Sequence, residues 1–166
     1  MVTNNVTRLL AARKIPFQVF ELPQEKVGAL DAARILGIEP QLMYKTIVVT
    51  RERPGKPVLA VIPAGYEVDL KALAAFLGEK KMKIPTQREA EQLTGLQAGG
   101  ISPLALVNRG FQVVLDQSAH EHEQFHISGG QRGLNIRLPV KAFVDLVTAR
   151  TAVISVPSSS DLDEVA

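Results

Sequence analysis

Tyr44-Lys45-Thr46-Ile47-Val48-Val49, then the charged stretch from Arg51 to Lys56, then Pro57-Val58-Leu59-Ala60-Val61-Ile62 decide how this chain folds. The first run is rich in β-branched residues and reads as a strand, and so does the last. Pro54-Gly55 between them marks a turn, so the two runs form an antiparallel hairpin. Before the hairpin, Val6, Leu9 and Leu10 recur at helical spacing and stop short of Pro16. Phe17-Gln18-Val19-Phe20 alternates as a strand, and a second helix spans Ala29 to Leu36 and ends at Gly37. After it, Asp69 is an N-cap for a helix over Leu70 to Leu77, with Gly78 as its left-handed stop. Thr86-Gln87-Arg88-Glu89 has capping-box spacing, and Gly95 closes the helix that follows it. Short strands follow at Val113–Leu115, Phe125–Ile127 and Leu134–Leu138. A helix carries Val140, Phe143, Val144 and Val147, and a last strand covers Ala152 to Val156. Hairpins interleaved with helices predict an α+β domain with a mixed, strongly curved sheet. Residues 1–156 make that domain; the serine-rich, acidic stretch 157–166 has little to bury and reads as a disordered tail.

Composition bounds the function. The chain has 166 residues, 46% hydrophobic and 22% charged, enough for one domain with its own core. A net charge of +2 excludes a histone-like polycation, so nucleic acid would meet a local basic patch. The absence of cysteine removes disulfides, thiolate nucleophiles and cysteine-based zinc sites. No apolar run approaches membrane-spanning length and no leader pattern opens the chain, so a cytoplasmic protein without a membrane partner is expected.

Candidate chemistry concentrates in five places. Alternation puts Lys45 on the strand face shared by Ile47 and Val49, where its ammonium either leaves at the sheet margin or projects into a pocket. Gly99-Gly100-Ile101-Ser102-Pro103 and Ser128-Gly129-Gly130-Gln131-Arg132-Gly133 are glycine turns bearing serines. Such turns either bend the chain or bring backbone N–H and hydroxyl donors close to a ligand oxygen. Without a Gly-x-Ser-x-Gly elbow, Ser102 and Ser128 are hydrogen-bonding residues rather than nucleophiles. Arg132 either binds phosphate or pairs with a carboxylate. His122-Glu123-Gln124-Phe125-His126 matches the H-E-x-x-H pattern of zinc proteases. That chemistry needs both histidines on one helix face, and Phe125-His126-Ile127 reads as a strand, so no metal is expected. Lys80, Lys81 and Lys83, with Arg88 on the next helix, are the best candidates for phosphate contacts.

The order and spacing of Tyr44-Lys45-Thr46, Gly99-Gly100-Ile101-Ser102-Pro103 and Ser128-Gly129-Gly130-Gln131-Arg132-Gly133-Leu134, followed by Ile136, resemble the YbaK/EbsC family over about Val6 to Ala152. These are aminoacyl-tRNA deacylases related to the editing domain of bacterial prolyl-tRNA synthetases. The resemblance implies that family's α+β fold with a barrel-like sheet. It also implies a free-standing trans-editing enzyme, without cofactor or metal, that hydrolyses the ester joining a wrong, small amino acid to tRNA. Cys-tRNA(Pro) and Ala-tRNA(Pro) are the candidates. Lys45, Gly99 and Gly100 match the family's catalytic positions, and Ser128 matches a serine of the pocket wall. Tyr44, Thr46, Ile101, Ser102, Gly129, Gly130, Arg132 and Asn135 complete the expected substrate-binding set, with Lys80, Lys81, Lys83 and Arg88 on tRNA. Asn135 and Leu22 stand where cysteinyl-specific members carry aspartate and tyrosine, which takes a base and a hydroxyl from the pocket. The tRNA acceptor end is the implied partner, with prolyl-tRNA synthetase as a second. The alternative is a non-catalytic module that binds an amino acid or nucleotide.

Overall fold

The computed structural model describes residues 2–158. In chain order its elements are α1 (Asn5–Ala12), β1 (Gln18–Glu21), α2 (Ala29–Leu36), β2 (Tyr44–Arg51), β3 (Val58–Pro63), β4 (Tyr66–Val68), α3 (Leu70–Leu77), β5 (Met82–Lys83), α4 (Gln87–Thr94), β6 (Gln112–Asp116), β7 (Gln124–Ser128), β8 (Leu134–Pro139), α5 (Val140–Val147), β9 (Arg150–Ala152) and β10 (Ser155–Pro157). The hairpin forms as the sequence reads, with β2 antiparallel to β3 and Lys45 opposite Ile62. It is the centre of a mixed five-stranded sheet in the order β5-β2-β3-β6-β9, in which β6 runs parallel to both β3 and β9. A second, antiparallel sheet has the order β1-β8-β7, and β4 pairs with β10 as a ribbon. A bridge between Met43 and His126 joins the two larger sheets just before β2 begins.

Every residue of β3 is buried, because both faces of the sheet are covered. Leu59 and Val61 pack with Tyr44, Val48, Leu115 and the three-stranded sheet; Val58, Ala60 and Ile62 pack with Val49, Val114 and Leu73 of α3. The first of these cores is stacked on aromatic rings: Phe125 meets Tyr44 and Phe143 edge to face, each pair 5.2 Å between centroids. The caps follow the sequence closely. Asp69 accepts from the Ala72 amide, Thr86 and Glu89 close a reciprocal capping box, and Gly37, Gly78 and Gly95 take the left-handed conformation.

Three expectations change. The sheet closes into no barrel among the described residues; it stops at β5 on one side and β9 on the other. The single final strand divides into β9 and β10, because the buried Asp116 carboxylate accepts from the Ile154 amide at 3.0 Å and the Ser155 hydroxyl at 2.9 Å and bends the chain there. Pro157, assigned to the tail by composition, closes β10 opposite Tyr66, and the Ser158 amide donates to Gly65; residues 159–166 lie outside the described residues. Strands β4 and β5 were not read from the sequence, being three and two residues long.

Thr148 caps α5 with φ +53°, a left-handed conformation that crowds a β-branched side chain. Thr148→Gly should raise stability by about 0.5–1 kcal/mol once the extra flexibility of unfolded glycine is set against the relieved strain. A thermal melt should show this as a rise in Tm of about 1–4 °C.

Candidate active site

Tyr44 fixes where Lys45 points. Its ring is buried against Phe125 and its hydroxyl lies 2.8 Å from the Ser118 hydroxyl. Ser118 spends its one proton on Asp116 at 2.6 Å, so Tyr44 is the donor to Ser118. Burial pushes the phenol up to about 12, which keeps that donor protonated. With Tyr44 anchored in the core, strand alternation turns Lys45 to the other face, where it lines a cleft of about 240 Å³. Tyr44 thus anchors the strand through a hydroxyl engaged by Ser118, while the residue itself borders the cleft.

The cleft gathers residues far apart in sequence. Lys45, Thr46 and Ile47 come from β2, Gly99 and Ile101 from the first glycine turn, Ser128 and Asn135 from facing positions on β7 and β8, and Gly28, Ala29 and Ala32 from the start of α2. Leu22, Lys26, Val27, Met43, Tyr44 and Ala98 complete the wall. Lys26 and the start of α2 were missed in the sequence, since a lone lysine in a polar loop carries no pattern.

The two turns lie against each other. Gly100 has no room for a side chain: a Cβ there would stand 2.8 Å from the Gln131 backbone. Its amide donates to Gln97 at 2.8 Å and it does not line the cleft. Gly99, with φ +90°, does line it, and among the described residues no acceptor takes its N–H. Arg132 is turned inward on the first turn, donating from Nε to the Ala98 carbonyl at 2.6 Å, while Glu91 accepts from the Ala98 amide at 2.8 Å. Its guanidinium also pairs with that carboxylate, Nη2 lying 3.9 Å from Glu91 Oε2, which is one of the two roles read for Arg132 from the sequence, and together these contacts clamp the turn. Ser102 is fully buried, and its hydroxyl accepts from the Leu104 amide at 3.2 Å to cap the 3-10 turn Pro103–Leu106. Gly129 and Gly130 also stay off the cleft wall; Cβ atoms there would strike Leu134 at 2.6 Å and Val6 and Ala105 at 3.0 Å.

At the floor, Asn135 is buried with its Oδ1 3.0 Å from His126 Nδ1 and its Nδ2 3.5 Å from Met43 Sδ. A thioether accepts but cannot donate, which sets the amide NH₂ toward sulfur and the oxygen toward an Nδ1–H of His126. His126 sits in β7 with its ring 5.1 Å from Phe20, so the H-E-x-x-H segment is not helical. Among the described residues no three His, Asp or Glu side chains could together hold a metal ion. Lys80, Lys81, Lys83 and Arg88 are exposed around β5 and the first turn of α4. Lys26 Nζ donates to Gln87 at 2.7 Å, which ties the cleft rim to that basic surface.

A family model described as the aminoacyl-tRNA editing domain matches residues 24–146, which include the cleft residues from Lys26 to Asn135. The chain belongs to the aminoacyl-tRNA editing domain family. It is 33% identical over 153 residues to an Enterococcus faecalis protein named "Putative Cys-tRNA(Pro)/Cys-tRNA(Cys) deacylase EbsC", covering 91% of this chain and 92% of that one. Among solved structures, a hypothetical protein superposes with a TM-score of 0.83 at 21% identity, covering 92% of this chain and all of that one. Another, described as "a putative trans-editing enzyme for prolyl tRNA synthetase", gives 0.75 at 23% identity, covering 94% of this chain and 99% of that one. Both share the editing-domain fold. An editing domain acts on the ester of aminoacyl-tRNA, so this chain is an enzyme of the aminoacyl-tRNA deacylase class. No helix among the described residues is long and apolar enough to cross a membrane.

Two outcomes follow from this geometry. Gly100→Ala forces the editing domain's turns apart and should cost about 1–3 kcal/mol, read as a lower midpoint in urea unfolding. His126 is held below its ordinary 6.5, first by burial and also by the nearby Arg137, while its bond to Asn135 acts the other way. Between the depressed native value and 6.5 the unfolded chain binds a proton that the native state does not, so stability falls as pH drops below about 6.5. The loss levels off below the native value, and His126→Gln should flatten that part of the stability curve.

Proposed function

We propose that this editing domain is a trans-editing deacylase that frees tRNA from a small, wrongly attached amino acid, with Cys-tRNA(Pro) and Ala-tRNA(Pro) as the candidate substrates. The observation that carries this reading is the convergence of Lys45, Gly99, Ser128 and Asn135 on one cleft. Attack on an aminoacyl ester moves charge onto the carbonyl oxygen. A fixed N–H at Gly99 and the Lys45 ammonium, placed for that oxygen, would stabilise the tetrahedral oxyanion more than the neutral ester. Collapse then breaks the bond to the ribose oxygen, which leaves as an alkoxide and takes up the proton lost by the nucleophile. Attack by water releases the free amino acid directly, and attack by a side-chain group releases a cyclic ester that water then opens. The nucleophile is water or a group of the substrate itself, since Ser102 is buried and Ser128 has no adjacent base in the described contacts. Thr46, Ile101, Ser128 and Asn135 border the acyl group. The wall residues Leu22, Val27, Ala32 and Met43 are apolar, and the cleft is smaller than the roughly 300–1,000 Å³ of drug-sized sites, which favours a small side chain.

The acceptor stem would run from the cleft rim at Lys26 past Gln87 to Arg88, Lys83, Lys81 and Lys80, where exposed cations meet phosphates. The partner that supplies the mischarged tRNA is prolyl-tRNA synthetase, and the setting is the cytoplasm where tRNA is charged.

Release of amino acid from a panel of charged tRNAs, in buffer containing chelator, tests the reading. Turnover of one or a few mischarged species is expected, falling about 100-fold or more in Lys45→Ala if the ammonium serves the oxyanion. Turnover of none, with or without the synthetase, would overturn the deacylase assignment in favour of a binding module. Lys81→Glu with Lys83→Glu should raise KM, leave kcat near wild type and lower the salt dependence by about one ion for each lost phosphate contact.

A further inference from the structure

The N-terminal helix reaches the second glycine turn through one side chain. Asn4 caps α1: its Oδ1 accepts from the Thr7 amide at 2.9 Å, and Thr7 Oγ1 accepts in return from the Asn4 amide at 2.8 Å. Its Nδ2 is not used by the cap. That nitrogen donates to the Gly129 carbonyl at 3.0 Å and to Gln131 Oε1 at 3.0 Å, a contact across 125 residues of chain. Helix α1 backs the same turn with Val6, which a Cβ on Gly130 would meet at 3.0 Å.

A trans peptide points its C=O and its N–H in opposite directions, and no cis bond occurs among the described residues. Holding the Gly129 carbonyl outward on Asn4 therefore turns the Gly130 N–H toward the cleft side, where it donates to Ser128 Oγ at 3.2 Å. Ser128 lines the cleft. With a lone pair of its oxygen engaged by Gly130, the Ser128 hydroxyl keeps its proton for a ligand in the cleft.

We infer that Asn4 is a positioning residue for the reaction: it locks the Gly129–Gly130 peptide plane and thereby presents Ser128 to the acyl group as a hydrogen-bond donor. The inference rests on the deacylase reading for its effect on rate, but the lock itself is a property of the free protein. Arg132 acts likewise on the first turn, from outside, through the Ala98 carbonyl.

Asn4→Asp and Asn4→Ser separate this role from capping, because aspartate and serine cap helices about as well as asparagine yet neither carries an NH₂. Both variants should melt within about 2 °C of wild type, since the cap is kept. In both, exchange of the Gly130 amide with solvent, followed by NMR without substrate, should quicken by about tenfold or more as its bond to Ser128 opens. On the mischarged tRNA that wild type turns over best, kcat should fall about tenfold with KM within about twofold, the mark of an interaction made in the transition state. Asn4→Ser, which adds no charge beside the Gly129 carbonyl, must behave as Asn4→Asp does. Unchanged Gly130 exchange, or a kcat loss that appears only together with a large fall in Tm, would overturn the inference and reduce Asn4 to a cap. If wild type turns over no aminoacyl-tRNA, the deacylase reading fails, and the exchange comparison alone decides whether the lock exists.

Discussion

A Cβ on Gly100 would stand 2.8 Å from both the Cα and the carbonyl carbon of Gln131. No side chain survives such a distance, so the two glycine turns meet backbone to backbone. That contact brings residue 99 and residue 128 to one cleft although 29 positions separate them, and the roles assigned to Gly99 and Ser128 depend on it. Close backbone approach also explains why the turns need outside supports. A loop of glycines has many conformations, and one must be selected before its N–H groups can be aimed. Arg132 and Glu91 hold the two peptide groups that flank the Ala98 Cα, and Asn4 holds the Gly129 carbonyl. Preorganised donors of this kind need not reorient when charge develops, which is where an ester-cleaving site gains over water.

The lysine is placed by a different device. The half-buried Lys45 keeps its place on the cleft only if its strand cannot slip, because a shift of one residue would move it to the opposite face. Six consecutive pairs with β3 set the register of β2, and Tyr44 pins its first residue through Ser118 to the buried Asp116. The same carboxylate gathers Ile154 and Ser155. One buried acid thus ties the lysine-bearing strand to the end of the domain, with its oxygens satisfied by four hydrogen bonds rather than left exposed to a low-dielectric core.

What the sequence revealed were the features governed by short-range rules. Gly37, Gly78 and Gly95 end helices because only glycine enters the left-handed region without strain, and Thr86 with Glu89 spells a capping box within four residues. The β2–β3 hairpin carries its own turn. What escaped notice depends on distance along the chain. Strand β5 is two residues long and exists because Thr50 and Arg51 receive it; β10 exists because β4 does. Ser102 and Ser128 stand beside glycines in similar local patterns, yet tertiary packing buries one as a cap and leaves the other on the cleft. Arg132 and Lys26 give no local sign that one faces inward onto a carbonyl and the other outward at the rim. Family resemblance pointed to Gly99 and Gly100 together, and only the geometry separates the residue that faces the cleft from the one that packs behind it.

In the proposed reaction Gly99 and Lys45 together face the carbonyl oxygen of an aminoacyl ester. A crystal structure of the protein with a non-hydrolysable 3′-aminoacylamino-adenosine in the cleft tests it most directly. The acyl oxygen should lie within about 3 Å of the Gly99 nitrogen and of Lys45 Nζ, with the amino acid side chain toward Asn135. An analogue bound with its acyl oxygen turned away from both groups, or seated outside this cleft, would contradict it.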